Sequence, residues 1–198
     1  MHLLRSLAVV AFSLSGVHSL ITPQATNNEL LARSIVGNPL ESRDFDTAKG
    51  VIDDIRAGFN TLQAAADAFN GDAGPLKAAA QDLLDTIDAD TVTLQNMPPL
   101  SFADCYYLVT PLKRLQKQAD ALQATLESRK GEVETAGECG TVYGFLDQGL
   151  QKSGVVISVI KSKAPDNAKA IVQQQGDKLV QQLQDTRDFF GTGNCVNA

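Results

Sequence analysis

Apolar residues return every three or four positions along most of this chain, in five successive stretches. In the first, Ala48, Ile52, Ile55, Phe59, Leu62, Ala66 and Phe69 step by four and three and fall on one face of a helix. This helix is expected to start near Asp44, whose carboxylate can cap it, and to stop around Asn70 and Gly71. The second opens with Pro75 in its first turn, where the missing donor costs nothing. Leu76, Ala80, Leu83, Ile87 and Leu94 follow, with Asp90 or Thr91 filling the gap in the stripe, and Asn96 to Pro99 ends it.

Ser101, with Asp104 three residues on, resembles a capping arrangement and begins the third helix. Its stripe runs Leu108, Leu112, Leu115, Ala119, Leu122, Leu126, interrupted by Pro111, which predicts either a kink or a restart at Thr110. Gly131 to Gly140 reads as a break. The fourth helix, about Thr141 to Lys161, is apolar on more than one face at Val155, Val156, Ile157, Val159 and Ile160, as suits a central helix buried on several sides. Gly149 and Ser153 on its stripe either let backbones approach or leave volume unfilled. The fifth, from Pro165, carries Ala168, Val172, Leu179, Leu183 and Phe190 and stops at Gly191 and Gly193. Its glutamines, Gln173 to Gln175 and Gln181, Gln182 and Gln184, read as a solvated face. Five such stripes must bury against one another, so the expected fold is all-α: an up-and-down bundle of about five helices over 44–191, with a tail at 192–198.

The amino terminus has another pattern. Arg5, an apolar run from Leu7 to Leu14 and the small residues before Leu20 read as a signal peptide, 1–19, cleaved after Ser19. The run is far shorter than the ~20 residues that span a bilayer. Residues 20–43, with Pro23, Gly37 and Pro39, read as a flexible arm in which Leu30, Leu31, Ile35 and Val36 could form a short helix. Neither an apolar tail nor a lipid-anchor spacer follows Phe189, so the expected product is free, secreted and extracellular, without a membrane span.

Cleavage removes His2 and His18, the two histidines of the sequence, and with Arg5 it shifts the formal net charge from −6 to −7. The remaining chain thus lacks the commonest general base and the commonest neutral metal ligand. An acidic balance without a basic stripe argues against nucleic acid and against anionic membranes. No cofactor is expected.

Three cysteines in an exported chain allow one disulfide and leave one thiol. If the helices alternate up and down, Cys105 lies at the bottom while Cys139 and Cys195 both lie at the top, which predicts Cys139 paired with Cys195. Cys105 has no base to make it a nucleophile. Asp82, Asp85, Asp88 and Asp90 form the best carboxylate cluster, but they lack the glycine and twelve-residue spacing of a calcium loop and read as a solvated face, as do Asp53 and Asp54. The GDAG at 71–74 follows no strand and reads as a connection rather than a phosphate loop. Neither catalysis nor a bound metal is expected.

From Asp44 to Phe190 the chain resembles the fungal hydrophobic surface binding protein A family, which includes ligand-binding domains of cell-wall galactomannoproteins. The resemblance rests on the order of the blocks VIDDIRAGFNTLQAAADAFNG, GPLKAAAQDLLDTIDADTVTLQ, LSFADCYYLVTPLKRLQKQADALQATLESRK and SVIKSKAP. It implies a secreted helical bundle that adsorbs to hydrophobic surfaces or encloses a fatty-acid chain among its helices. The galactomannoprotein Ser/Thr-rich tail and anchor signal are missing here, so wall association would be without a covalent anchor. For an enclosed lipid, the inward positions on the stripes are Phe59, Leu62, Leu83, Ile87, Leu112, Leu115, Leu146 and Val156, with Tyr106, Tyr107 and Tyr143 as hydroxyl partners for a head group. The alternative is a bundle that recruits or inhibits a secreted hydrolase or acts as an effector. Plant-type invertase and pectin methylesterase inhibitors are comparable exported bundles, but they carry an amino-terminal cysteine hairpin, and no cysteine precedes Cys105 here.

Overall fold

The first apolar stripe becomes helix α1, Pro39–Asp67, in the computed structural model, which describes residues 39–198. The expected signal peptide, and the expected arm up to residue 38, lie outside the described residues. Helix already runs through Asp44, so that residue is not the cap expected of it and residues 39–43 belong to α1. After Asp67 the chain turns through Gly71, whose φ of 101° suits a residue without Cβ. The later helices are α2 (Gly74–Asn96), α3 (Phe102–Ser128), α4 (Lys130–Thr135), α5 (Cys139–Lys163) and α6 (Lys169–Phe189).

Local chemistry explains most of these limits. Pro75 sits in the first turn of α2. Ser101 and Asp104 close a reciprocal capping box at the start of α3, Asp104 N–H donating to Ser101 Oγ at 3.1 Å and Ser101 N–H to Asp104 Oδ2 at 2.9 Å. Pro111 neither stops nor restarts α3, which is helical from end to end with Pro111 buried inside it. The expected break at 131–140 contains the extra helix α4, tied by Lys130–Glu134 and Arg129–Glu132 ion pairs of 2.6 and 2.9 Å.

The five long helices alternate up and down, but their order in space differs from their order in sequence. Let the α1–α2 turn mark the upper end. Helix α1 packs on α2 and α3, α3 on α6, α6 on α5, and α5 on α2, which closes a ring in the order α1, α2, α5, α6, α3. Cross-links show the directions. Lys77 meets Glu138, Lys152 meets Asp88, and Lys163 Nζ donates to the Gln95 and Met97 carbonyls, so α2 and α5 run parallel. Phe45 meets Tyr107 and Gln63 meets Thr125, making α1 and α3 parallel as well. Asp147 to Arg187 and Lys161 to Gln173 join α5 and α6 antiparallel.

Among the described residues no helix sits at the centre. The ring leaves α5 an outer face, so Val155 is exposed while Val156 and Ile160 turn inward, contrary to the expected central helix. At the upper end α4 anchors the C-terminal residues. Glu134 accepts from Val196 N–H through its side chain and from Ala198 N–H through its carbonyl, and Asn197 Oδ1 accepts from Cys139 N–H. Cys139 and Cys195 are bonded, Cα atoms 5.6 Å apart, and Cys105 is free and buried at the lower end.

Candidate functional site: the apolar interior

The inward stripes do not meet completely. An upper cavity of about 70 Å³ lies among α1, α2, α3 and α5, with Leu183 of α6 at its edge, and a lower one of about 40 Å³ lies among α1, α3, α5 and α6, with Ile87 of α2 at its edge. Phe59, Ile87 and Ser153 border both, forming the partition between them. All eight inward positions read from the stripes are placed here. Phe59, Leu62, Leu83, Ile87 and Leu146 line the upper cavity; Phe59, Ile87, Leu112, Leu115 and Val156 line the lower.

Small side chains explain where the space is. Gly149 borders the upper cavity, and a Cβ placed on it would meet nothing within 4 Å, so this glycine leaves volume unfilled. Gly176 does the opposite: a Cβ there would come within 2.6 Å of Ile157 Cγ2, so this glycine lets α6 approach α5. Side chains around unfilled apolar space lose the contacts that a filled interior would give them. An apolar guest would recover some of these.

Polar groups occur at the two outer ends of this space. At the upper end the rim carries Lys77, Glu138 and Thr141. Lys77 Nζ lies 2.7 Å from Glu138 Oε1. Hydrogen bonds from Lys77 first, then Thr141, hold the Glu138 carboxyl below its usual range. At the lower end stand Gln116 and Gln175. Gln175 is only 6% exposed, not part of a solvated face as its neighbours in sequence suggested. Gln116 Nε2 donates to the Gln175 carbonyl at 2.9 Å and reaches its Oε1 at 3.4 Å.

The tyrosines read as head-group partners stand elsewhere. Tyr106 and Tyr107 are 62% and 61% exposed on the outer face of α3, Tyr143 is exposed on α5, and none borders either cavity. Tyr107 instead packs edge-on against Phe45 and Tyr106.

The remaining candidate chemistry is structural. Burial first, then the Asp104 charge, raises the Cys105 thiol above its ordinary value, which disfavours the thiolate a nucleophile needs. Among the described residues, the side chains close enough to share an ion are Glu134, Cys139 and Cys195, and the two sulfurs are already joined to each other. Asp82, Asp85 and Asp88 lie exposed, Asp88 as the ion-pair partner of Lys152 across the α2–α5 seam. Asp53 pairs with Lys49 and Arg56. Asp90 departs from the cluster's solvated reading: it is buried, and its Oδ2 has no partner among the described residues. No helix among the described residues is long and apolar enough to cross a membrane.

Comparison with known proteins adds to this geometry. A family model described as Hydrophobic surface binding protein A matches residues 45–162. Cell wall mannoprotein 1 of Aspergillus fumigatus is 31% identical over 144 residues, which cover 72% of this chain and 51% of that protein. Its counterpart from Aspergillus flavus is 28% identical, covering 72% and 53%. The chain therefore spans about half the length of these curated relatives. Among solved structures, ligand binding domain 2 of the Penicillium marneffei MP1 protein, complexed with multiple arachidonic acids, superposes with a TM-score of 0.71 at 26% identity, over 74% of this chain and 96% of that one. AFMP4P in complex with palmitic acid gives 0.69 at 20% identity, over 74% and 99%, a likeness of fold.

Proposed function

We infer that this chain, which belongs to the hydrophobic surface binding protein A family, is a non-catalytic extracellular protein that encloses a fatty-acid chain within its ring of helices. The observation that carries the reading is the interior itself: two apolar cavities that share Phe59, Ile87 and Ser153 in their walls. Structures of similar fold complexed with arachidonic and palmitic acids support it. The likeness to cell wall mannoproteins supports an extracellular or wall-associated site of action.

Magnitudes decide what binding requires. The cavities fall well short of the ~300–1,000 Å³ that ligand pockets usually offer, so an acyl chain enters only if side chains repack and helices part. The driving force is large. Burying a chain gains ~0.8 kcal/mol per CH₂, on the order of 12 kcal/mol for a sixteen-carbon acid, before the costs of opening and of ordering the guest. The Phe59 ring and the Ile87 side chain are the groups that must turn aside for one chain to occupy both cavities.

The test is to extract the purified protein with organic solvent, identify any lipid by mass spectrometry, and titrate the delipidated protein with palmitic acid. Saturable binding near one equivalent is expected. Adsorption to a hydrophobic polymer with no saturable palmitate binding would sink the enclosed-chain reading and leave surface binding in its place.

A further inference from the structure

The upper rim carries a charge arrangement that an inert core does not need. Among the described residues Lys77 is the one cation bordering either cavity, and it faces Glu138 across the seam between two parallel helices. Because α2 and α5 run the same way, both present their N-terminal ends here. Neither has an acidic residue in its first turn, although the first N–H of α2, on Gly74, donates to Asp72 Oδ1 at 2.9 Å and that of α5, on Cys139, to Asn197 Oδ1 at 3.1 Å. The partial positive charge of each helix end, offset in part at α2 by the Asp72 carboxylate, adds to that of Lys77. The Glu138 carboxylate, bonded by Lys77 and Thr141, already occupies a position built to receive a carboxylate. The lower end offers no counterpart, since Gln116 and Gln175 are neutral and bonded to each other.

Resting on the enclosed-chain reading above, we propose that the guest is a long-chain carboxylic acid bound as its anion by Lys77, which exchanges Glu138 for the guest's carboxylate, so that the head lies at the α2–α5 rim. The tail then runs down past Phe59, Ile87 and Ser153 into the lower cavity. Glu138 is a competitor for Lys77 in this arrangement, and it also sets selectivity. It satisfies Lys77 when the cavity is empty, and it repels acids that fail to supply enough apolar contact to displace it.

Two readouts test this, with palmitic acid and hexadecanol as probes of equal chain length. Lys77→Met is expected to weaken palmitate binding about tenfold or more, the value of one charge-assisted hydrogen bond, and to leave hexadecanol within about twofold. Glu138→Gln removes the competitor and is expected to tighten palmitate several-fold. In the unmutated protein, stearic acid spin-labelled near its carboxyl should broaden the amides of Leu76 and Val142, and acid labelled near its methyl end those of Val156 and Leu179. Palmitate and hexadecanol binding alike to all three proteins, or a reversed broadening pattern, would overturn the head-group site while leaving enclosure intact. Failure of the unmutated protein to bind either probe would overturn both.

Discussion

A buried carboxylate without a partner is costly unless it keeps its proton, and Asp90 meets that description. Burial, followed by the charge of Asp54 on α1, pushes its pKa from an ordinary 3.8 up to about 6. Because the folded state holds this proton more tightly than the unfolded chain does, the stability it contributes is full below about pH 4. That contribution is lost as the pH rises through about 6. Asp90→Asn should therefore stabilise the protein at pH 7.5 by on the order of 1–2 kcal/mol and make little difference at pH 4, read from denaturant curves at both values. Equal effects at the two pH values would contradict the assignment. The sequence pattern anticipated that Asp90 or Thr91 would fill a stripe position, and both do so. It did not anticipate Gln175 at an inward position, because a run of three glutamines gives no sign of which one turns inward. Tyrosine is a head-group partner by chemistry alone, but none of the three borders a cavity; the charged pair at the rim joins two residues 61 positions apart and has no local signature.

At the scale of the helices, two glycines with similar surroundings should respond differently to alanine. A Cβ at Gly58 would lie 2.6 Å from Leu83 Cδ1, the tip of a side chain that can rotate away. At Gly176 it would meet three Ile157 atoms between 2.6 and 3.1 Å, including the stiff β-branch methyl. Replacing a helical glycine gains up to ~1 kcal/mol in propensity, while overpacking costs ~1–3 kcal/mol. Thermal denaturation should show Gly58→Ala close to neutral and Gly176→Ala clearly destabilised. The stripes made the long helices legible, because periodicity records burial directly. What they missed follows from charge and context. Helix α4 has too few apolar residues to show a period and stands on Lys130–Glu134, Arg129–Glu132 and the C-terminal segment it anchors. Pro111 is tolerated inside α3 because the neighbouring helices hold that helix on both sides of it.

For the molecule as a whole, alternation of direction was enough to pair Cys139 with Cys195, since direction alone decides which ends share a side. The order around the ring was not legible, because one stripe fits many neighbours. It shows in contacts such as Lys163 on the Gln95 and Met97 carbonyls and Lys152 with Asp88, which join α2 to α5 instead of α3. The disulfide closes a separation of 56 residues and should stabilise by about 4 kcal/mol in the chain-entropy model. Replacing both cysteines by serine should lower stability by about 2–4 kcal/mol and speed amide exchange first in α4 and the C-terminal residues. Unchanged exchange there would argue against α4 and the C-terminus acting as one clamp. The ring also explains how an ordinary-looking core can hold a guest: five helices around a shared centre leave space wherever small residues such as Gly149 face inward. The most direct measurement is palmitate titration of the delipidated unmutated protein beside Gly149→Met, in which a flexible side chain fills the upper cavity. Saturable binding that is lost in the variant, with its melting temperature equal or higher, is the predicted result; equal palmitate binding by both proteins would show that the chain does not need the upper cavity and contradict the account.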